Sequence, residues 1–199
     1  MRWLMGLLFL LAACVSRSPL PYVEPASSVH FESAVASCTG ISIGKGYVLT
    51  AGHCISPLTA QVEEYPANLV WHNRSVDVAL FHVPGLESAP FSELACRDPK
   101  IGEEAMIIAD TKWTRNIYVF GKVSSVVYLR QNRQPLVLFD MRGAPGNSGA
   151  PIYDTEGRVI AMVVAVISSY GDIVAAVPSS TLCVLIESEG EFTPPPSLS

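Results

Sequence analysis

The chain has 199 residues, of which 49% are hydrophobic and 16% are charged, and its formal net charge at pH 7 is −5. This composition excludes an intrinsically disordered protein, because it supplies enough apolar side chains for a compact core in one or two small domains. The modest negative charge and the lack of a basic stripe argue against a nucleic-acid partner.

The N-terminal segment is typical of an export signal. Arg2 precedes an apolar run, Leu4 to Ala13, that is too short to span a bilayer, for which about 20 residues are needed. Leu-Ala-Ala-Cys at residues 11–14 also resembles the bacterial lipoprotein box, in which the signal is cut before a cysteine that then carries lipid. We therefore predict a signal peptide over residues 1–13 and a membrane anchor through lipid on Cys14. Conventional signal cleavage and a buried N-terminal helix are the alternatives. The expected location is the bacterial cell envelope or the extracellular space.

Both flanks of the expected domain are rich in proline or serine. Residues 14–28 lack apolar periodicity and are predicted to form a tether. Residues 189–199, which include three consecutive prolines, are predicted to form a disordered tail. The folded domain is then residues 29–188.

Within this domain, short apolar and β-branched runs alternate with turns, which predicts an all-β sandwich or barrel. One helix is predicted at the end, capped by Ser179 or Ser180, with Leu182, Leu185 and Ile186 on its apolar face. The predicted strands are residues 38–43, 47–50, 69–72, 76–83, 105–109, 117–127, 136–140, 158–167 and 173–177.

Ser148 lies in the segment Gly-Ala-Pro-Gly-Asn-Ser-Gly-Ala-Pro at residues 143–151. A serine hydroxyl becomes a nucleophile only when a base takes its proton and backbone N–H groups hold the developing oxyanion. Gly146 permits the tight backbone shape that turns its own N–H and that of Ser148 toward one point. Taken alone, the same residues are equally typical of a polar turn.

Two other residues are candidates for completing such a site. His53 follows the predicted strand that ends at Thr50, a good position for a general base, although a lone histidine is more often structural. Asp77 heads the apolar stretch 78–81, where a carboxylate is costly unless it is paired. Its alternative role is a surface aspartate at a turn. The chain order His, Asp, Ser and the matching setting of each residue favour one common site.

The segments that carry these residues are TAGHC at 50–54, DVAL at 77–80 and GNSGAP at 146–151. They resemble the three catalytic signatures of the chymotrypsin-like (trypsin-fold) serine peptidases. The bacterial HtrA-type and glutamyl-endopeptidase-type branches are the most similar, and we expect no regulatory peptide-binding domain of the kind that many HtrA proteins carry. The resemblance implies two packed six-stranded antiparallel β-barrels, over about 29–97 and 100–178, and a helix over about 179–188.

The same resemblance implies a serine endopeptidase that acts on proteins or peptides. Ser148 would attack the peptide carbonyl, His53 would serve as general base and then acid, and Asp77 would orient the imidazole. The N–H groups of Gly146 and Ser148 would hold the oxyanion. No metal or other cofactor is implied, and the oligomeric state stays open.

Export would place the cysteines in an oxidising compartment. Apart from Cys14, four cysteines remain, and they can pair in three ways. The resemblance implies a bridge between Cys38 and Cys54 beside the histidine. It is also consistent with a second bridge between Cys96, in the connector of the barrels, and Cys183, in the helix. The alternative for the second pair is two buried free thiols.

The substrate pocket is harder to predict. By the resemblance, its base lies six residues before the serine, at Arg142, and its wall lies within residues 162–166, including Val163 and Val164. Arginine at the base cannot select lysine or arginine. We therefore expect a small or medium apolar residue before the scissile bond, with an acidic residue paired with Arg142 as the second possibility.

Two other classes of function use the same features. A catalytically inactive trypsin-fold protein would use the cleft to bind peptides, and fold alone does not separate it from an enzyme. An esterase would use the same three residues, but the G-x-S-x-G elbow of the α/β-hydrolases is missing. The intact His, Asp and Ser favour the endopeptidase.

Overall fold

The computed structural model describes residues 27–56, 59–111, 114–128, 134–168 and 173–189. The predicted signal peptide, Cys14, most of the tether and nearly all of the tail lie outside the described residues. Within the described ranges, no helix combines the length and the apolar character of a membrane-spanning segment.

The described residues contain thirteen strands and one α-helix. A 3₁₀ turn, Gly52–Cys54, follows the third strand. The elements in chain order are β1 Ser28–Ser33, β2 Ser37–Gly44, β3 Tyr47–Ala51, β4 Ala60–Val62, β5 Tyr65–Pro66, β6 Asn68–Asn73, β7 Val78–His82, β8 Glu104–Ala109, β9 Ile117–Tyr128, β10 Pro135–Arg142, β11 Pro151–Tyr153, β12 Val159–Ile167, β13 Ile173–Pro178 and α1 Ser179–Glu189.

All nine predicted strands are present, and the sequence pattern misses β1, β4, β5 and β11. Three of these have three residues or fewer, too few to show an alternation, and β1 is mostly polar. β1 begins at Ser28, the last residue that the sequence assigns to the tether. The helix extends to Glu189, one residue beyond the predicted domain.

The strands form two antiparallel sheets. β8–β13 close into a six-stranded barrel in the order β10-β13-β12-β11-β8-β9, whereas β1–β7 form a seven-stranded sheet in the order β5-β4-β1-β2-β3-β7-β6. The all-β, trypsin-like fold is confirmed. The first unit differs from the expected six-stranded barrel: it has seven strands, and these do not close into a barrel. Neither edge strand, β5 nor β6, contains a fully buried residue.

The open sheet buries its apolar face against the barrel. In β8, Ala105 and Ile107 belong to the core inside the barrel, whereas Met106 and Ile108 belong to the core shared with the seven-stranded sheet. This alternation follows from the two-residue period of a strand, which points successive side chains to opposite faces. The two sheets therefore share one core.

The helix is fastened to the connector between the sheets. Leu182 and Ile186 are buried in the shared core, as the predicted apolar face requires. Ser179 Oγ donates to the main-chain oxygen of Arg97 at 3.1 Å, and Cys183 is bonded to Cys96. The hydroxyl that was predicted to cap the helix thus binds the connector.

Candidate active site

His53 lies in the 3₁₀ turn that follows β3. Cys54 is fully buried and forms a disulfide with Cys38 of β2, with 6.4 Å between the two Cα atoms. The N–H of Gly52 donates to the main-chain oxygen of Asp77 at 2.8 Å. A covalent bridge and a main-chain hydrogen bond therefore fix the turn on both sides of the imidazole.

Asp77 directly precedes β7 and adopts a φ of 59°, in the left-handed region that aspartate enters more readily than most residues. Its Oδ1 accepts the main-chain N–H of His53 at 2.7 Å, and its Oδ2 lies 2.6 Å from His53 Nδ1. Because a carboxylate oxygen accepts, Nδ1 carries the proton of the neutral ring, and Nε2 is left as an acceptor.

Ser148 completes this arrangement from the other sheet. Its Oγ lies 2.9 Å from His53 Nε2. The structure thus brings together the three residues that the sequence singles out: His53 and Asp77 from the seven-stranded sheet, and Ser148 from the loop between β10 and β11. The side chains of His53 and Asp77 are 47% and 36% exposed, so solvent and substrate can reach them.

The loop that carries Ser148, residues 143–150, needs glycine at two positions. Gly146 has a φ of 102°, and a Cβ there would lie 2.7 Å from Thr111 Cα. Gly149 has a φ of 82°, and a Cβ there would lie 2.0 Å from the main-chain oxygen of Thr39. Side chains are excluded at both positions by backbone conformation and by neighbouring backbone atoms.

The same loop presents two backbone donors. Within the described residues, neither Gly146 N–H nor Ser148 N–H donates a hydrogen bond to the protein. The main-chain oxygen of Asn147 accepts from Ala150 N–H at 2.9 Å, and peptide planarity then turns Ser148 N–H the opposite way. Both amides that the sequence predicts for the oxyanion are therefore available to a substrate oxygen.

Asn147 supports the loop from inside, a role that the sequence analysis did not assign. The residue is 2% exposed. Its Oδ1 accepts Ala144 N–H at 2.7 Å, and its Nδ2 donates to the main-chain oxygen of Asp110 at 3.4 Å. Both contacts fold the chain around Ser148 and fasten it to the end of β8.

Two histidines near Asp77 have pKa values displaced in opposite directions. The hydrogen bond that His53 donates to Asp77 raises the pKa of His53; partial burial opposes this, and the charge of Asp77 adds to it. Burial lowers the pKa of His72, and the positive charge of Arg74 lowers it further. A Cβ on Gly52 would lie 2.5 Å from His72 Nε2 and 3.0 Å from Asp77 Oδ1, so His72 borders the site.

The predicted pocket residues lie in two settings. Val163 and Val164 are 1% and 8% exposed on β12, and the main chain of Val163 pairs with the loop of Ser148, accepting from Gly149 N–H at 2.7 Å and donating to Ala150 O at 2.9 Å. Arg142, the last residue of β10, is exposed.

Two further valines border the start of the Ser148 loop. A Cβ on Gly143 would lie 2.3 Å from Val166 Cγ2 and 3.2 Å from Val174 Cγ2. The sequence analysis placed Val166 in the pocket wall but did not select Val174. The surface beside Gly143 is therefore apolar.

Cys38, His53 and Cys54 form a group whose potential ligand atoms lie within 4.8 Å of one another. The two sulfurs are joined in a disulfide, so neither is the thiolate that a metal ion requires. The group is a support for the histidine turn and not a set of metal ligands.

Comparison with known proteins places this arrangement in a family. The profile of the trypsin-like peptidase domain matches residues 38–162. A comparison with curated protein sequences finds no significant match.

Among solved structures, the active form of the Rv3671c protease from M. tuberculosis has a TM-score of 0.76 at 17% identity, covering 90% of this chain and 94% of that one. The HtrA-type protease AlgW with a decapeptide has a TM-score of 0.72 at 16% identity, covering 83% of this chain and 64% of that one. A serine endoprotease from Yersinia pestis has a TM-score of 0.72 at 20% identity, covering 83% and 63%. At these identities the three structures show a common fold, and this chain spans less than two thirds of the last two. The profile match covers more than half of the chain, and the chain therefore belongs to the trypsin-like peptidase family, with the fold of the chymotrypsin-like serine proteases.

Proposed function

We propose that this protein is an exported serine endopeptidase that hydrolyses peptide bonds through an acyl-enzyme on Ser148. The observation that carries the proposal is the continuous hydrogen-bonded chain from Asp77 Oδ2 through His53 to Ser148 Oγ, with distances of 2.6 and 2.9 Å. The amides of Gly146 and Ser148, which bind no acceptor among the described residues, support it, since the tetrahedral intermediate needs donors at that place.

Each residue of the site has a defined role in the proposed reaction. Ser148 Oγ attacks the carbonyl carbon of the substrate while His53 Nε2 takes its proton, and the oxyanion is held by the N–H groups of Gly146 and Ser148. His53 then protonates the leaving amine, and water attacks the acyl-enzyme by the same route. Asp77 keeps the proton of the neutral ring on Nδ1 and stabilises the imidazolium, in agreement with the raised pKa of His53.

For specificity, we favour a small or medium apolar residue before the scissile bond. The side chains of Val166 and Val174 lie against Gly143, so the surface beside the loop of Ser148 is apolar. Arg142 is exposed at the end of β10, so an acidic substrate residue paired with it is the second possibility.

Lipidation of Cys14 remains a proposal, since that residue lies outside the described ranges. The wild-type protein should partition into detergent or membranes, and Cys14→Ser should release it or leave the precursor uncut. Mass spectrometry of the mature N-terminus checks this. An unmodified N-terminus in a wholly soluble wild-type protein would exclude the anchor.

The test of activity uses wild type and Ser148→Ala in parallel. A fluorophosphonate reagent should label Ser148, and the substitution should abolish labelling and lower kcat by about 10⁴- to 10⁶-fold with the fold retained. Profiling the cuts in a peptide library reports activity and specificity together. If the wild-type protein binds peptides but neither cleaves nor reacts with the reagent, the catalytically inactive alternative is correct.

A further inference from the structure

Thr39 lies on β2, in the sheet that carries His53, but its hydrogen bonds reach the loop that carries Ser148. The residue is completely buried. Its main-chain N–H donates to the main-chain oxygen of Ser148 at 2.9 Å, and its own carbonyl accepts from Thr50 Oγ1 at 2.8 Å. Thr39 is thus fixed in its own sheet by Thr50, and it in turn binds the main chain of Ser148.

The hydroxyl of Thr39 makes a second connection to the same loop. It donates to the main-chain oxygen of Gly146 at 2.8 Å and accepts from the main-chain N–H of Asp110 at 3.0 Å. A hydroxyl has one proton to donate, and the carbonyl of Gly146, at 2.8 Å, is a much closer acceptor than the carbonyl of Asp110, at 3.5 Å. The proton is therefore directed at the residue whose N–H is the second proposed oxyanion donor. The carbonyls of Gly146 and Ser148, on either side of Asn147, are therefore both anchored on Thr39.

This anchoring matters because Gly146 is a glycine with a φ of 102°. Without a Cβ, its backbone can adopt several other conformations at little cost, and most of them would turn its N–H away from the oxyanion. Gly146 therefore needs contacts with other residues to hold its conformation. The Thr39 hydroxyl supplies one of them, a hydrogen bond to the main-chain oxygen of Gly146, which is the only acceptor that this residue has.

We propose that the Thr39 hydroxyl is a positioning group for the oxyanion hole: it restrains the carbonyl of Gly146 and thereby the direction of the Gly146 N–H. The inference rests on the proposed peptidase function and adds a residue to it. Thr39 touches neither the substrate nor the reacting atoms. It acts through Gly146, and it makes the oxyanion hole dependent on the docking of the two sheets.

Ser28 is a matched control in the same sheet. It is also buried, at 7% exposure, and its hydroxyl crosses to the barrel, where it donates to the main-chain oxygen of Ile108 at 3.0 Å. This contact lies on β8 and not on the loop of Ser148. Ser28→Ala therefore removes a buried hydrogen bond between the sheets without touching the oxyanion donors.

The experiment compares Thr39→Val, Thr39→Ser and Ser28→Ala with wild type in the full chain. Thr39→Val keeps the shape and removes the hydroxyl, so kcat for a peptide substrate should fall by about 10- to 100-fold with little change in KM. Thr39→Ser should restore most of kcat. Ser28→Ala should lower Tm but keep kcat.

A second measurement separates positioning from a general structural role. A peptide aldehyde forms a tetrahedral adduct whose oxygen occupies the oxyanion hole, whereas the corresponding peptide alcohol does not. Thr39→Val should weaken binding of the aldehyde by about the same factor by which it lowers kcat/KM. The affinity for the alcohol should stay unchanged, since only the interaction made in the transition state is lost.

A Thr39→Val enzyme with wild-type kcat, or one that loses aldehyde and alcohol affinity equally, would overturn the inference. So would an equal loss of kcat in Ser28→Ala. If Thr39→Val does not fold, Thr39→Cys takes its place, and full activity with this weaker donor would count against the hydroxyl. An inactive wild-type protein would overturn the proposed function as well, whereas an active one with an active Thr39→Val variant overturns this inference alone.

Discussion

The histidine turn, Gly52–Cys54, and the nucleophile loop, residues 143–150, are held in position by different means. The turn at His53 is fixed within one sheet, by the Cys38–Cys54 bridge and by hydrogen bonds to Asp77. The loop at Ser148 is fixed from the opposite sheet, by main-chain and side-chain hydrogen bonds from Thr39. His53 is therefore supported locally and covalently, whereas Ser148 depends on non-covalent contacts between the two sheets.

Because of this difference, substitutions in the two regions should change the stability of the fold and the activity to different degrees. A change at the histidine turn alters one sheet and the base that it carries. A change at the nucleophile loop alters the junction of the sheets, because Gly149 lies directly against the main chain of Thr39.

The largest effect is expected for Asp77→Asn. An asparagine amide can donate to Nδ1 and so favours the tautomer in which Nε2 carries the proton, which prevents His53 from accepting the proton of Ser148. We expect kcat to fall by about 10⁴-fold with the fold retained. Steady-state kinetics on a peptide substrate checks this, with Asp140→Asn on the exposed face of β10 as the control. A variant that keeps a tenth of wild-type kcat would exclude the proposed role of Asp77.

Removing the disulfides one at a time should rank stability and activity in opposite orders. The bridges span 16 and 87 residues of sequence. On the chain-entropy model, paired serine substitutions should cost about 3 kcal/mol at Cys38–Cys54 and about 4.5 kcal/mol at Cys96–Cys183. Only the shorter bridge borders His53, so only its loss should lower kcat. Denaturant unfolding and kinetics on both double variants test this, and an equal loss of kcat in both would contradict it.

Alanine substitutions at two glycines test how tightly the nucleophile loop packs against the other sheet. Gly149 and Gly102 have φ angles of 82° and 84°, but a Cβ would lie 2.0 Å from Thr39 O at Gly149 and would contact nothing within 4 Å at Gly102. Gly102→Ala should cost about 1–2 kcal/mol, the cost of a left-handed backbone. Gly149→Ala should cost about 3 kcal/mol or more, because overpacking adds to it, and should also lower kcat. Equal losses in denaturant unfolding would mean that the loop relaxes away from Thr39.

The smallest effect concerns pH. Because the hydrogen bond to Asp77 raises the pKa of His53, the acidic limb of kcat/KM should have its midpoint above 6.5, with activity rising as the ring loses its proton. The stability that comes from this pair is present below pH 6.5 and is lost as the pH rises through the raised pKa. His72 is the internal comparison, since burial and Arg74 lower its pKa. NMR titration should place the two rings on opposite sides of 6.5, and the reverse order would contradict the assignment.

Local sequence patterns were sufficient to predict the strands that have a long apolar run and the residues that form the candidate active site. His53, Asp77 and Ser148 each have a distinctive setting of neighbours, and the structure brings the three together. The two bridges implied by the family resemblance are both present. The short strands β4, β5 and β11 gave no signal, because two or three residues cannot show a period.

What the amino-acid sequence determined by itself is therefore the family, the β-rich core and the three residues, His53, Asp77 and Ser148, that meet in the candidate active site. Only the tertiary structure decided how these are held. Thr39 contacts Asp110, 71 residues away in the sequence, and Gly146, 107 residues away. His72 borders Asp77 on the side where Gly52 has no side chain. The seven-stranded sheet does not close, and its apolar face packs against the barrel. A hydroxyl on a buried strand gives no sign in the sequence of which distant carbonyl it will bind, because that partner is selected by how two separately formed sheets pack against each other.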